Sequence, residues 1–217
     1  MLRWPAAIAV LTLATAAHAA PFQNGSFDTG APASFVFDIP AGSTQIPGWT
    51  VSVGSVDWIT VNWTPSNGTS SLDMVGSLGV GGVEQTFDTV PGTTYVVAFD
   101  LAGNPGGLPV VKPLTVTVGG VSNNFTFDTT GRSGSAMGWT RQSFTFVATS
   151  AIAKISFVSD VRGQGGANNA GAALDNVTIT PQAAAGPAAP IPLPWAHVGA
   201  ALLVLLGATG LARRRKR

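Results

Sequence analysis

Cysteine is absent from the 217 residues, and the two histidines, His18 and His197, stand in the end segments. The long stretch between them therefore has no disulfide. It also lacks the thiol and imidazole needed for Cys-His or Ser-His-Asp catalysis and for the usual zinc and copper sites. Tyr95 is the lone tyrosine, Glu84 the lone glutamate, and charged residues make up 10% of the chain. What is left for chemistry is aspartate. Between residues 20 and 190, five cations (Lys112, Arg132, Arg141, Lys154 and Arg162) face all ten Asp and Glu, so this part carries 5 − 10 = −5 although the whole chain sums to +1. An acidic domain with scattered cations has no electrostatic footprint for nucleic acid. A helical period is also missing between residues 20 and 182.

The ends have a grammar of their own. Residues 1–19 follow the signal-peptide pattern: Arg3, an apolar run over 6–16, then Ala17-His18-Ala19 as a small-x-small cleavage site. Residues 182–190 form an Ala/Pro/Gly linker. In 191–217, Ile191-Pro192-Leu193-Pro194 leads into an uncharged apolar run over 195–212 and then a basic block, Arg213 to Arg217. Eighteen residues of helix cover ~27 Å, the low end of a bilayer span, with the basic block held in the cytoplasm. The expectation is an exported domain, 20–181, at the cell surface, outer membrane or extracellular matrix. The C-terminal helix would anchor it, transiently or stably, in the inner membrane.

The middle reads as short strands, over 35–39, 49–53, 56–61, 70–74, 83–87, 94–101, 114–118, 124–127, 142–147, 152–158 and 173–180. Gly, Pro, Asn and Ser clusters punctuate them. The clearest stretch is 82–105. There Val83, Gln85 and Phe87 alternate with polar neighbours, Pro91-Gly92 turns, and Tyr95, Val97 and Phe99 resume the alternation. It predicts a hairpin whose second strand is central. So many strands favour an antiparallel β-sandwich of jelly-roll type over an immunoglobulin topology.

A series of short motifs then adds up. These are Asn24-Gly25-Ser26-Phe27-Asp28, Gly48-Trp49-Thr50-Val51, Gly54-Ser55-Val56-Asp57-Trp58-Ile59, Ser71-Leu72-Asp73-Met74, Glu84-Gln85-Thr86-Phe87, Phe99 to Pro105, Met137-Gly138-Trp139 and Leu174-Asp175-Asn176-Val177. In order and spacing they resemble the bacterial choice-of-anchor C domain, related to plant cell-wall proteins built on galactose-binding-like sandwiches. The tail, with Ile191, Pro192, Leu193 and Pro194, resembles a PEP-CTERM sorting signal of the Val-Pro-Leu-Pro-Ala kind, which implies a sorting protease as partner. The resemblance implies an exported bacterial surface or matrix protein with a lectin-like fold and no known ligand; the residues themselves favour a protein without catalysis.

Three sites follow as expectations. The resemblance implies one structural Ca²⁺ between first and last strands, held by Asn24, Gly25, Asp28 and Asp175 in an all-oxygen set. The alternative is that Asp28 and Asp175 cap turns. A polysaccharide platform is expected at Trp63, in the polar loop 62–69, with Asn62, Asp57 and Asn104 taking hydroxyls; Trp49, Trp58 and Trp139 are read as core. A hydrolase built on Asp57, Asp73 and Asp100 is a third reading. A structural or adhesive protein that binds protein partners without sugar specificity is the alternative to carbohydrate binding.

Overall fold

Period-two alternation makes strands here because each one lays a single apolar row on a shared core. The computed structural model describes residues 20–165 and 169–183, and these contain strands and no helix. In chain order they are β1 (Val36–Pro40), β2 (Thr50–Ile59), β3 (Ser71–Asp73), β4 (Val80–Asp88), β5 (Thr94–Gly103), β6 (Val111–Val118), β7 (Val121–Asp128), β8 (Thr140–Val147), β9 (Ile152–Asp160) and β10 (Ala172–Pro181). Every pairing is antiparallel, in the order β7-β6-β9-β4-β2-β3-β10-β5-β8, with β1 also on β2. This is an all-β antiparallel sandwich. No helix among the described residues is long and apolar enough to cross a membrane. The signal peptide, the sorting motif Ile191 to Pro194 and the apolar tail lie outside the described residues.

Strand β2 joins the two sheets. Its first half pairs with β4, and its second half with β1 and β3. The runs read separately at 49–53 and 56–61 are thus one strand with a corner in it. The register shifts between Val51 and Val53, and Gly54 follows at φ 57°. A Cβ at Gly54 would fall on the carbonyl of Val80, so the bend needs glycine there.

The stretch 82–105 is corrected more sharply. Its two strands exist, but β4 pairs with β2 and β9 while β5 pairs with β10 and β8. Pro91-Gly92 is an arch from one sheet to the other, where Gly92 N donates to Ala148 O at 2.7 Å. The alternation of Val83 and Phe87, and of Tyr95, Val97, Phe99 and Leu101, brings both rows to the core from opposite sides. Phe99 of β5 meets Phe157 of β9 edge-on across it, with ring centroids 5.3 Å apart. Trp49 and Trp58 are buried, and their indole N–H groups donate to Asn24 O and Phe27 O, which fastens the opening loop to the sandwich.

Candidate functional site

The face of β2 away from the core carries Asp57, and its cross-strand partner on β3 is Asp73. Alternation puts these carboxylates side by side because Val56, Trp58 and Leu72 occupy the other face. Asp73 is fully buried; its Oδ1 accepts from Val75 N (3.1 Å) and Gly171 N (3.0 Å), and its Oδ2 from Asn104 Nδ2 (2.7 Å). Burial pushes the Asp73 carboxyl up to about 7, opposed by the Asn104 bond and reinforced by the charge of Asp57. Asp57 is 8% exposed, and its Oδ1 accepts from Asp38 N at 2.8 Å. Burial pushes it up to about 6, against the Asp38 N–H and with the Asp38 charge.

Asp38 sits at a register shift in β1 with φ 56°, a conformation that Asp tolerates and that costs roughly 1 kcal/mol. Three hydrogen bonds hold it: its own N–H to Asp57, and its Oδ1 accepting from Ser77 N (2.6 Å) and Ser55 Oγ (3.1 Å). Ser77 N–H, foremost, keeps the Asp38 carboxyl below its ordinary range. A Cβ on Gly76 would strike both Ser55 Oγ and Asp38 Oδ1, so this close approach depends on glycine.

Above these carboxylates lies a cavity of about 370 Å³. Phe37 and Asp38 of β1, Asp57 of β2, and Asn62, Ser77 and Asn104 line it. Phe37 is 48% exposed and stacks on Phe35 with centroids 4.2 Å apart and planes 25° from parallel. Beneath the rim, Lys112 is fully buried, and its Nζ donates to Gly107 O (2.7 Å) and Ala170 O (2.8 Å), tying together two loops beside the cavity. Burial draws the ammonium down to about 8, opposed by Asp73.

Of the sugar-platform residues expected from sequence, Asn62, Asp57 and Asn104 line this cavity and Trp63 does not. Trp63 is 7% exposed, its Nε1 donating to Ser71 Oγ at 2.8 Å, and with Asn62 it lines a neighbouring, open cavity of about 480 Å³. The exposed aromatics are Phe35 and Phe37, of which Phe37 lines the cavity. The signal for it was the run 35–39, whose alternate phenylalanines were read only as a strand. Asp38 and Lys112 were missed too; nothing local marks a lysine that ends fully buried. Asp100, grouped with Asp57 and Asp73 in the hydrolase reading, lies elsewhere. It pairs with Arg141 at 3.1 Å and accepts from Ser66 Oγ and Asn176 Nδ2. Asp73 has no exposed surface, so Asp57 and Asp73 do not present two carboxyls to one substrate.

Of the four residues expected around calcium, Gly25 bonds the last strand directly, and Asp28 and Asp175 both hold loop 66–70. Asp28 Oδ1 accepts from the N–H and hydroxyl groups of Thr69 and Ser70, between 2.8 and 3.2 Å. Asp175 Oδ2 accepts from Ser66 N, Ser66 Oγ and Asn67 N, and its Oδ1 from Asn176 N. Asn24 Oδ1 takes Thr29 N, and Gly25 O takes Val177 N. Donor hydrogens of the chain thus point at Asp28 Oδ1 and at both oxygens of Asp175. No group of three or more metal-ligating His, Cys, Asp or Glu occurs among the described residues.

Fold and cavity together define a β-sandwich domain with an open, aromatic-walled, acidic cavity beside one sheet. The chain belongs to the family described as protein of unknown function (DUF642), which its residues 20–180 match. That match does not reach the narrower choice-of-anchor C group or a PEP-CTERM-type signal. The chain is 30% identical over 170 residues to Halomucin of Haloquadratum walsbyi, covering 72% of this chain and 2% of that protein; it thus spans a small fraction of that relative's length. Among solved structures it is similar to TmCBM61 in complex with beta-1,4-galactotriose, at 18% identity and TM-score 0.47, over 76% of this chain and 100% of that one. It is also similar to a family 35 carbohydrate binding module from Clostridium thermocellum, at 16% identity and TM-score 0.42, over 68% and 98%.

Proposed function

We propose that this domain binds carbohydrate in the cavity beside Phe37, without catalysing a reaction on it. The observation that carries the reading is a cavity of about 370 Å³ lined by an exposed aromatic ring together with carboxylate and amide side chains. The C–H faces of a sugar ring are apolar and pack on the aromatic face, while its hydroxyls donate to Asp38 and Asp57 and exchange hydrogen bonds with Asn62 and Asn104. The non-catalytic reading is supported by Asp57 alone of the buried pair lining the cavity.

The biological setting follows from the ends of the sequence. In this reading the domain is exported by residues 1–19 and acts at the cell surface or in the extracellular matrix. The Ile191 to Pro194 motif and the tail serve as a choice-of-anchor or PEP-CTERM-type address for a sorting protease. Mass spectrometry of protein recovered from cells tests this. Loss of 195–217 supports a processed signal, and a retained tail makes it a plain anchor.

For binding, the test is affinity electrophoresis of the full chain through gels containing soluble polysaccharides. Retardation by at least one polysaccharide that Phe37→Ala removes is the expected result. Mobility unaltered by every polysaccharide, in both proteins, overturns the proposal.

A further inference from the structure

We propose that the cavity selects an amino sugar, seating the protonated amine between Asp57, Asp38 and the face of Phe37; this rests on the carbohydrate reading above. Both charged side chains that line the cavity are carboxylates. The nearby cation, Lys112, is fully buried and spends its protons on Gly107 O and Ala170 O, so a ligand does not meet it.

Asp57 is 8% exposed and lines the cavity, yet only its Oδ1 has a hydrogen-bond partner among the described residues, Asp38 N. Asp38 is exposed, and its carboxylate is held by Ser77 N, Ser55 Oγ and the Ser77 side chain. A carboxylate oxygen taken out of bulk water without a donor is costly. Here Asp57 supplies such an oxygen, beside the exposed carboxylate of Asp38, whose N–H bonds Asp57 Oδ1 at 2.8 Å. A sugar hydroxyl satisfies it and leaves the charge. An ammonium has three donors and no acceptor, reaches both carboxylates and cancels charge. The exposed Phe37 ring adds cation–π attraction for the same group. A uronic acid or sulfated sugar would bring another negative charge beside two fixed ones, which the site rejects.

The amine also gives binding a pH signature. The charged groups facing Asp57 are Asp38 from β1, Asp73 from β3 and, behind Asp73, Lys112 from β6. Affinity for the amine rises as Asp57 ionises through about 6 and falls again when the ligand amine loses its proton. A neutral sugar lacks the second limb.

The test is isothermal titration of the full chain, in EDTA, with a glucosamine tetrasaccharide, its N-acetylated counterpart, a neutral glucan tetrasaccharide and an oligogalacturonate. The amine form is expected to bind about tenfold or more tighter than the acetylated form at pH 7, with the uronate weakest. Asp57→Asn and, separately, the more exposed Asp38→Asn should each pull that ratio toward one. Asp128→Asn, an exposed carboxylate outside the cavity, should leave it unchanged. Equal or tighter binding of the acetylated or neutral sugar, still lost in Phe37→Ala, overturns the amino-sugar inference and keeps the carbohydrate reading. Amine binding insensitive to Asp57→Asn and Asp38→Asn would be mere attraction to an acidic domain, and also overturns it. No binding of any saccharide sinks both.

Discussion

Two groups of aspartates in this domain have opposite fates. Asp28 and Asp175 grip loop 66–70 from two sides, the first taking Thr69 and Ser70, the second Ser66 and Asn67. Asp38 and Asp57 bond to each other's strand and line a cavity. The first group is spent on one loop of the chain; the second, in the reading proposed above, also takes a ligand. Burial alone does not separate them, since Asp175 and Asp57 are both buried and burial pushes both carboxyls up to about 6. The difference is in the donors: Asp175 faces a loop full of N–H groups, Asp57 faces one N–H and open space. A buried carboxylate marks a ligand site only when its hydrogen-bonding capacity is left unspent.

That contrast can be broken at several points. The largest effect is expected for Asp175→Ala, which removes a fully buried carboxylate and the acceptor it offers to Ser66, Asn67 and Asn176; denaturant unfolding should show a loss of about 3 kcal/mol. Next comes pH. Asp57, Asp73 and Asp175 have folded values above their ordinary 3.8, so the folded state holds more protons than the unfolded one between those limits. Stability should therefore fall as pH rises from about 4 to about 7, by about 1–3 kcal/mol, read as Tm across that range. Asp73→Asn should flatten the upper part of the slope. Asp28 and Asp38 are shifted the other way, so their contribution disappears only in stronger acid.

Smaller effects sharpen the comparison. Asp28→Ala, at a partly exposed position, should cost about 1–2 kcal/mol. Phe37→Ala should change stability by less than about 0.5 kcal/mol while abolishing saccharide binding, which separates the site from the scaffold. Tm should be the same in EDTA and in millimolar Ca²⁺. A rise in Ca²⁺ would show that the Asp28 and Asp175 group is also completed from outside.

Much of the fold was legible. Alternation in runs such as 94–101 and 142–147 marks strands because a pleated chain has no other way to bury every second residue. Pairing was not legible. Val83 to Phe87 and Tyr95 to Phe99 flank a turn, and nothing in those residues says whether the chain folds back beside itself or crosses to the other sheet. The answer lies in β2, β9, β10 and β8, which take up their edges. The site divides the same way. Asp57, Asn62 and Asn104 were found because polar residues at strand ends and in loops are conspicuous. Trp63 misled, since a tryptophan in a polar loop looks exposed until its indole finds Ser71.

Composition alone determined that this domain works with oxygen chemistry and without thiol or imidazole, and periodicity alone determined that it is built of strands. Those are properties of single residues and their near neighbours. Which carboxylates are spent and which are free was decided only in three dimensions. A hydrogen bond such as Asn67 N to Asp175 joins residues 108 apart, and no local pattern records which donors will arrive from so far along the chain.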